Sequence, residues 1–292
     1  MEVPKVANRK TIGLIVLAVL VIAYGAIIYS YFAEEKDNRA SVVESVAGVS
    51  GEDGIEIDVG IVAVDLQKET VEARLEFKPK GSLVLSDGRL ARPLTIHASS
   101  VNAEPLEFEA NLGMPARDVV FDLHGGEVTD YPFDIHNALM EFSVNEKGVE
   151  NAPPKMVRTE VDFYAYHHGL RIVSTPVADH NGGSAGFQAV LERSGLVKGV
   201  AIFCMVVMWG LAICAVLLLV AVVYFKAEAD MDKLALLSGL IIALYFFRAG
   251  LPDSPATIGT LSDYLSFFWA EAIVSIVTIG YTWIWFQRAK EK

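Results

Sequence analysis

Ile55-Glu-Ile57-Asp-Val59-Gly-Ile61-Val-Ala63 alternates apolar residues with mainly polar ones. A period of two belongs to a strand with one buried face, whereas a helix repeats every 3.6 residues. Val71-Glu-Ala73-Arg-Leu75-Glu-Phe77 repeats the pattern after the polar turn Gln67-Lys-Glu69. Strands are also expected at 83–85 and 90–98, flanking Ser86-Asp-Gly-Arg89, whose Asp-Gly pair favours a hairpin turn. Six more are expected at 107–112, 118–123, 135–144, 157–166, 170–174 and 187–192. Short strands separated by turns, with no strong helix among them, predict an antiparallel β-sandwich over residues 54–195.

On either side of this block the composition changes. Runs at 12–33, 199–225, 234–251 and 264–286 are apolar over lengths near the roughly 20 residues that a bilayer-spanning helix needs. The chain is 53% hydrophobic with a mean hydropathy of +0.39, which fits a membrane protein better than a soluble one. The predicted class is therefore an α+β membrane protein. Residues 1–33 hold a cytoplasmic N-terminus and a first transmembrane helix, 34–53 a polar linker, 54–195 the sandwich, and 196–292 three transmembrane helices with a cytoplasmic tail. The first run spans 22 residues, against about 7–15 for a signal-peptide core, and Tyr31-Phe32-Ala33-Glu34 follows where a cleavage site would want small residues. It reads as a retained anchor.

Orientation follows from the basic residues beside the spans. Lys5, Arg9, Lys10, Lys226, Lys233, Arg288, Lys290 and Lys292 fall in three segments that must share one side, while the short loop 252–263 has none. Cytoplasmic loops are enriched in Lys and Arg, so both termini are expected in the cytoplasm and residues 34–195 outside it. Tyr29, Tyr31 and Phe32 close the first span, and aromatic residues bracket the last one, from Tyr264, Phe267, Phe268 and Trp269 to Tyr281, Trp283, Trp285 and Phe286. Residues 34–195 carry 28 acidic and 14 basic side chains, a net charge of −14, and no cysteine. This argues against nucleic acid as a partner. Cys204 and Cys214 both lie in the second span as small packing residues, and a disulfide-free outer domain fits a bacterial envelope protein.

Few residues are arranged for chemistry. Gly182-Gly-Ser184-Ala-Gly186 matches a hydrolase nucleophile elbow, but all six histidines precede Ser184 and a strand is expected after it. His124, His136, His167, His168 and His180 have no metal-binding spacing, and the acidic run from Glu52 to Asp58 lacks that of a calcium loop. No catalytic, cofactor-binding or metal-ligating residue is therefore assigned. Glu271 is different, because it lies about 10 Å into the last span. A carboxylate at that depth costs a few kcal/mol unless it is paired, protonated or wetted. Arg248 is its expected partner, either as a clamp between helices or as part of a relay. Ala235-xxx-Gly239-xxx-Ala243 and Ser266-xxx-Ala270 are small-residue stripes expected to pack the spans together.

Two stretches carry a resemblance. Asp130-Tyr131-Pro132-Phe133-Asp134 enters a strand, and Leu261-Ser-Asp-Tyr-Leu-Ser-Phe-Phe-Trp-Ala-Glu271 opens the last span. With the order of one helix, a β domain and three helices, the chain resembles a family of bacterial membrane proteins known as domain of unknown function 4436. The likeness runs over nearly the whole chain and places Arg248 and Glu271 within the family's architecture. The Tyr131–Asp134 turn also resembles the aromatic-Pro-x-Asp turn of pentameric ligand-gated channels, which tips a β-sandwich towards the membrane. The flanking cysteines of those channels are missing here, and three spans follow instead of four.

The expected function is non-enzymatic. The outer sandwich would recognise a partner through its sheet edges and the loops 124–134 and 178–186, as an accessory or scaffold subunit of an envelope assembly in the bacterial inner membrane. The alternative is a channel or transporter subunit with Glu271 as an intramembrane relay. The expected partners are the lipid bilayer and either an envelope protein or further copies of the chain, with no cofactor.

Overall fold

The computed structural model describes residues 53–290 apart from 103, 148–154, 166, 179–183 and 257–258, together with Glu44–Ala47 and five positions in the first apolar run. Those five, Ala18, Ile22, Gly25, Ile28 and Tyr29, are helical and exposed. The rest of that run and His180 lie outside the described residues, as does most of the 34–53 linker.

The strands are β1 (Glu44–Ala47), β2 (Gly54–Asp65), β3 (Thr70–Lys80), β4 (Leu94–Ala98), β5 (Leu106–Phe108), β6 (Arg117–His124), β7 (Ile135–Glu146), β8 (Lys155–Val157), β9 (Thr159–Tyr164), β10 (Leu170–Ala178) and β11 (Ala185–Arg193). Among the described residues they form one mixed sheet in the order β1-β9-β2-β3-β6-β7-β11-β10, with β4 and β8 pairing β7, and β5 pairing β4. The founding alternation holds: Ile55, Ile57 and Val59 of β2, and Val71, Ala73, Leu75 and Phe77 of β3, all point into the core. Strand β6 joins the two halves of the sheet, pairing β3 through Thr70–Leu75 and then β7 through Ala138 and Asn137. The halves enclose one core, where Phe121 meets Phe142 edge-on at 6.0 Å and Phe163 meets Phe187 at 5.4 Å. Each fully buried aromatic of this kind contributes about 1.5–3 kcal/mol.

The sheet is not purely antiparallel, because β2 and β9 run parallel, Ile57 opposite Val161. Parallel neighbours need a long crossover, supplied here by everything between Asp65 and Thr159. The switch happens at Arg158. Strand β8 pairs β7 up to Val157, and the carbonyl of Arg158 then accepts from Ile55 N as β9 joins β2. The single strand expected at 157–166 is thus two pieces. The strand expected at 83–85 is reduced to a 3-10 turn, Gly81–Leu83, and a single antiparallel bridge from Val84 to Leu90 across the Asp87-Gly88 hairpin, with Gly88 at φ +83°. The strand expected to begin at Leu90 begins at Leu94, beyond Pro93, which has no N–H to donate. Strand β1, paired with β9, lies inside the stretch expected to be linker.

Three helices follow: α1 (Gly195–Tyr224), α2 (Met231–Ala249) and α3 (Phe268–Lys290), the last preceded by a π-helical turn, Asp263–Phe267. Strand β11 ends at Arg193 and α1 begins at Gly195, with Ser194 as N-cap accepting from Val197 N. Two of these helices, Gly195–Tyr224 and Asp263–Lys290, are long and apolar enough to cross a membrane. Helix α2 has 19 residues, so any 18-residue stretch of it includes Asp232, Lys233 and Arg248. Met208 and Ala212 of α1, Leu237 and Leu244 of α2, and Val274 and Tyr281 of α3 form the shared core. At the end of the bundle away from the sheet, Arg288 donates to the carbonyls of Val222 and Ala227, closing the C-terminus of α1. Ser266 and Ala270 are fully buried between helices, as expected, and Trp209 donates to the carbonyl of Leu265 in the π turn. The stripe on α2 is different. Ala235 and Gly239 are exposed, because the buried stripe of α2 runs through Leu237, Leu244 and Arg248 on another face.

Candidate functional site

The 3-10 turn Val128–Asp130 leads into a cis Tyr131–Pro132 peptide at the foot of the sheet. Tyr131 is fully buried against Val197 and Ala201 of α1 and Leu251 of the α2–α3 loop. Its hydroxyl donates to the carbonyl of Pro252 at 2.6 Å, and its own carbonyl accepts from Ser262 N at 3.2 Å. One residue of the β6–β7 connection thus holds both ends of the loop that joins α2 to α3. Burial pushes the phenol well above its ordinary pKa, so it remains a donor at any physiological pH. Phe133, next in the turn, is 45% exposed.

Asp134 and Arg193 are buried together, 2% and 4% exposed. The Nε of Arg193 donates to both carboxylate oxygens at 3.0 and 3.1 Å, its Nη1 donates to the carbonyl of Asp253 at 2.9 Å, and its guanidinium lies 5.2 Å from the Tyr131 ring centroid. His136 Nε2 is 3.2 Å from the same carboxylate. Burial works to raise the pKa of Asp134, but hydrogen bonds from His136 and Arg193 and the guanidinium charge outweigh it and hold the group below its ordinary value. A buried ion pair of this sort is costly to break from one side, because the partner is left charged without water.

Arg248 is paired, but not with Glu271. Its Nε and Nη2 grip the two oxygens of Asp263 at 3.0 and 3.2 Å, while Nη1 reaches Ser254 and Nη2 also donates to the carbonyl of Pro255. Asp263 further accepts from the backbone N–H of Gly259 and Thr260. The reason is axial distance. Asp263 sits where the last helix begins, level with the end of α2, whereas Glu271 lies eight residues, about 12 Å, further along that helix. Glu271 is half-buried and forms no hydrogen bond or ion pair among the described residues.

Between these two clusters lies a cavity of about 460 Å³. His167, Arg193, Asp253 and Ser254 line it together with Leu66 and Leu170. Gly169 lets its walls close. At φ +77° it suits glycine, and a Cβ there would fall 2.0 Å from Asp253 Oδ2. The turn after β9 therefore lies directly against the loop after α2.

The other sequence candidates are occupied elsewhere. Ser184 donates its hydroxyl to Glu141, and β11 rather than a helix follows it. His97 and His124 are exposed. Glu56, Asp58 and Asp162 bring carboxylate oxygens within 4.8 Å of one another across β2 and β9, but Lys78 pairs with Glu56 and Asp58, and Lys80 with Glu56. The sequence reading passed over Arg193, Asp253 and Asp263. For Arg193 a signal existed, as a lone basic residue immediately before the helix cap Ser194. Nothing local marked Asp253 as a partner of Arg193 or Asp263 as the partner of Arg248.

Residues 193–288, the helices with the second of the two quoted stretches, match a domain of unknown function, DUF8686. That stretch therefore falls outside the part of the chain that carries the likeness to domain 4436. No curated protein matches the chain. Residues 45–191, the strands with the Tyr131–Asp134 turn, match the domain of unknown function DUF4436 over half of the sequence, and the chain belongs to that family.

Proposed function

We propose that this is a non-enzymatic, four-span protein of the bacterial inner membrane with both termini in the cytoplasm, whose outer β domain recognises a partner as an accessory or scaffold subunit of an envelope assembly. The observation that carries this reading is the joint. Tyr131 and Arg193 tie the sheet to the α2–α3 loop by buried hydrogen bonds, so whatever loads the sheet is felt by the helices. Three apolar side chains of the 131–139 segment, Phe133, Ile135 and Leu139, are 42–48% exposed, with Asn137 between the last two, and offer a docking patch. On the helices, Val206, Leu217, Ile276 and Ile279 are 60–70% exposed, as lipid-facing residues would be.

Gentle solubilisation of the tagged full chain, followed by mass spectrometry of co-purifying proteins, tests this reading. A stoichiometric partner that is lost on Phe133→Asp/Leu139→Asp supports it, and recovery of the chain alone counts against it. A second reading, a channel or transporter subunit, draws on the half-buried Glu271 with no ionic partner among the described residues. On that reading Glu271→Gln abolishes flux in proteoliposomes while melting is preserved.

A further inference from the structure

Two polar groups that line the junction cavity have hydrogen-bonding capacity to spare. Arg193, which lines it, is 4% exposed, and its Nε and Nη1 are committed to Asp134 and Asp253 O, while Nη2 forms no hydrogen bond among the described residues. Nδ1 of His167, another lining residue, is buried and likewise without a partner. A buried polar atom such as His167 Nδ1 is rarely left so, and where it faces a cavity beside a guanidinium edge a ligand is the natural partner. A guanidinium fixed on two sides, with its remaining N–H groups free, suits an oxyanion such as a phosphate. At the rim the carboxylate of Asp253 lies against Gly169 and makes no hydrogen bond or ion pair among the described residues. It offers a site for a cation a short distance from the guanidinium. A bare anion would be repelled by the net −14 of residues 34–195, and an ammonium on the ligand reduces that repulsion. Leu66 and Leu170 leave room for a short apolar stem.

We propose that this cavity binds a phosphate–ammonium zwitterion of the phosphoethanolamine kind, with the phosphate on Arg193 and His167 and the ammonium on Asp253. The same chemistry is presented by a phospholipid headgroup and by the free compound. The cavity lies beside the first residue of α1 and the α2–α3 loop, the level at which headgroups would stand if the helices span a bilayer.

The test uses the full chain in a neutral sugar detergent, with thermal melting followed as O-phosphoethanolamine is titrated and, separately, in nanodiscs of phosphatidylethanolamine against phosphatidylglycerol. Wild-type protein should be stabilised by O-phosphoethanolamine or by phosphatidylethanolamine, and less by phosphatidylglycerol, which lacks the ammonium. His167→Ala and Asp253→Asn should each raise the half-saturating concentration about tenfold, the loss of one charge-assisted hydrogen bond. Melting of the variants without ligand separates lost binding from lost fold. A response to the soluble compound alone identifies a free ligand, and one to the nanodisc alone a lipid; either supports the site. No response to either, or an equal response in wild type and both variants, overturns it. Resistance of the wild type to carbonate extraction tests membrane insertion independently of the cavity.

Discussion

Tyr131, in the turn between β6 and β7, donates its hydroxyl hydrogen to the carbonyl of Pro252 in the loop between α2 and α3, 121 residues away in sequence and 2.6 Å away in space. The donor is fully buried, and the same residue's carbonyl receives Ser262 N. Removing the hydroxyl leaves a buried acceptor unpaired, which costs about 1–3 kcal/mol. Tyr131→Phe is therefore expected to melt several degrees below wild type with its β-sheet circular dichroism unchanged.

Arg193 and Asp134 are expected to fail together. Either Arg193→Gln or Asp134→Asn strands a buried partner and should cost about 3–5 kcal/mol. Since both remove the same bond, the double variant should lose clearly less than the sum of the two, as read from denaturant melts of all four proteins.

Acid offers an independent view of Asp134. Its folded-state pKa lies below the ordinary carboxylate value, so ionised Asp134 contributes stability at every pH above that ordinary value. The contribution fades as pH falls from about 4 through the lowered pKa, where the folded protein must take up a proton that the unfolded chain has already bound. Wild type should lose more stability than Asp134→Asn between about pH 4 and pH 2, as measured by melting temperature against pH.

The two charged residues first considered as a pair should behave differently. Arg248→Gln leaves Asp263 buried and is expected to cost about 3–5 kcal/mol, with Asp263→Asn showing strong coupling to it. Glu271→Gln removes a carboxylate without an ionic partner among the described residues. It should melt within about 0.5 kcal/mol of wild type or slightly above it. Coupling between Arg248 and Glu271 in a double-variant cycle would show that the pair forms after all.

How much of this was legible beforehand depended on range. Alternation along β2 and β3 depends on a residue's own neighbours, so Ile57 and Leu75 could be assigned to the core directly. The same alternation is shared by parallel and antiparallel strands, and the β2–β9 pairing was therefore invisible. The length of the apolar runs located the helices, but not which carboxylate Arg248 would grip. That choice is made by the fold of the 250–262 loop, which brings Asp263 rather than Glu271 level with the arginine. The Tyr131–Asp134 turn stood out for its own residues, while Arg193, which completes it, lies 59 positions beyond Asp134, and its place before the helix cap did not say which carboxylate it would meet.

Only Ser194 separates β11 from α1, and it is already the helix cap. A helix advances about 100° per residue. The angular position of the outer domain around the α1 axis is thus fixed by residue count, as the teeth of a gear fix its phase. One alanine inserted after Ser194 would swing the sheet by roughly a quarter turn, carrying Arg193 away from Asp253, whereas seven would bring it almost back into phase about 10 Å further out. Any torque applied to the sheet would accordingly reach α1 as rotation about its own axis, since no flexible segment intervenes to absorb it.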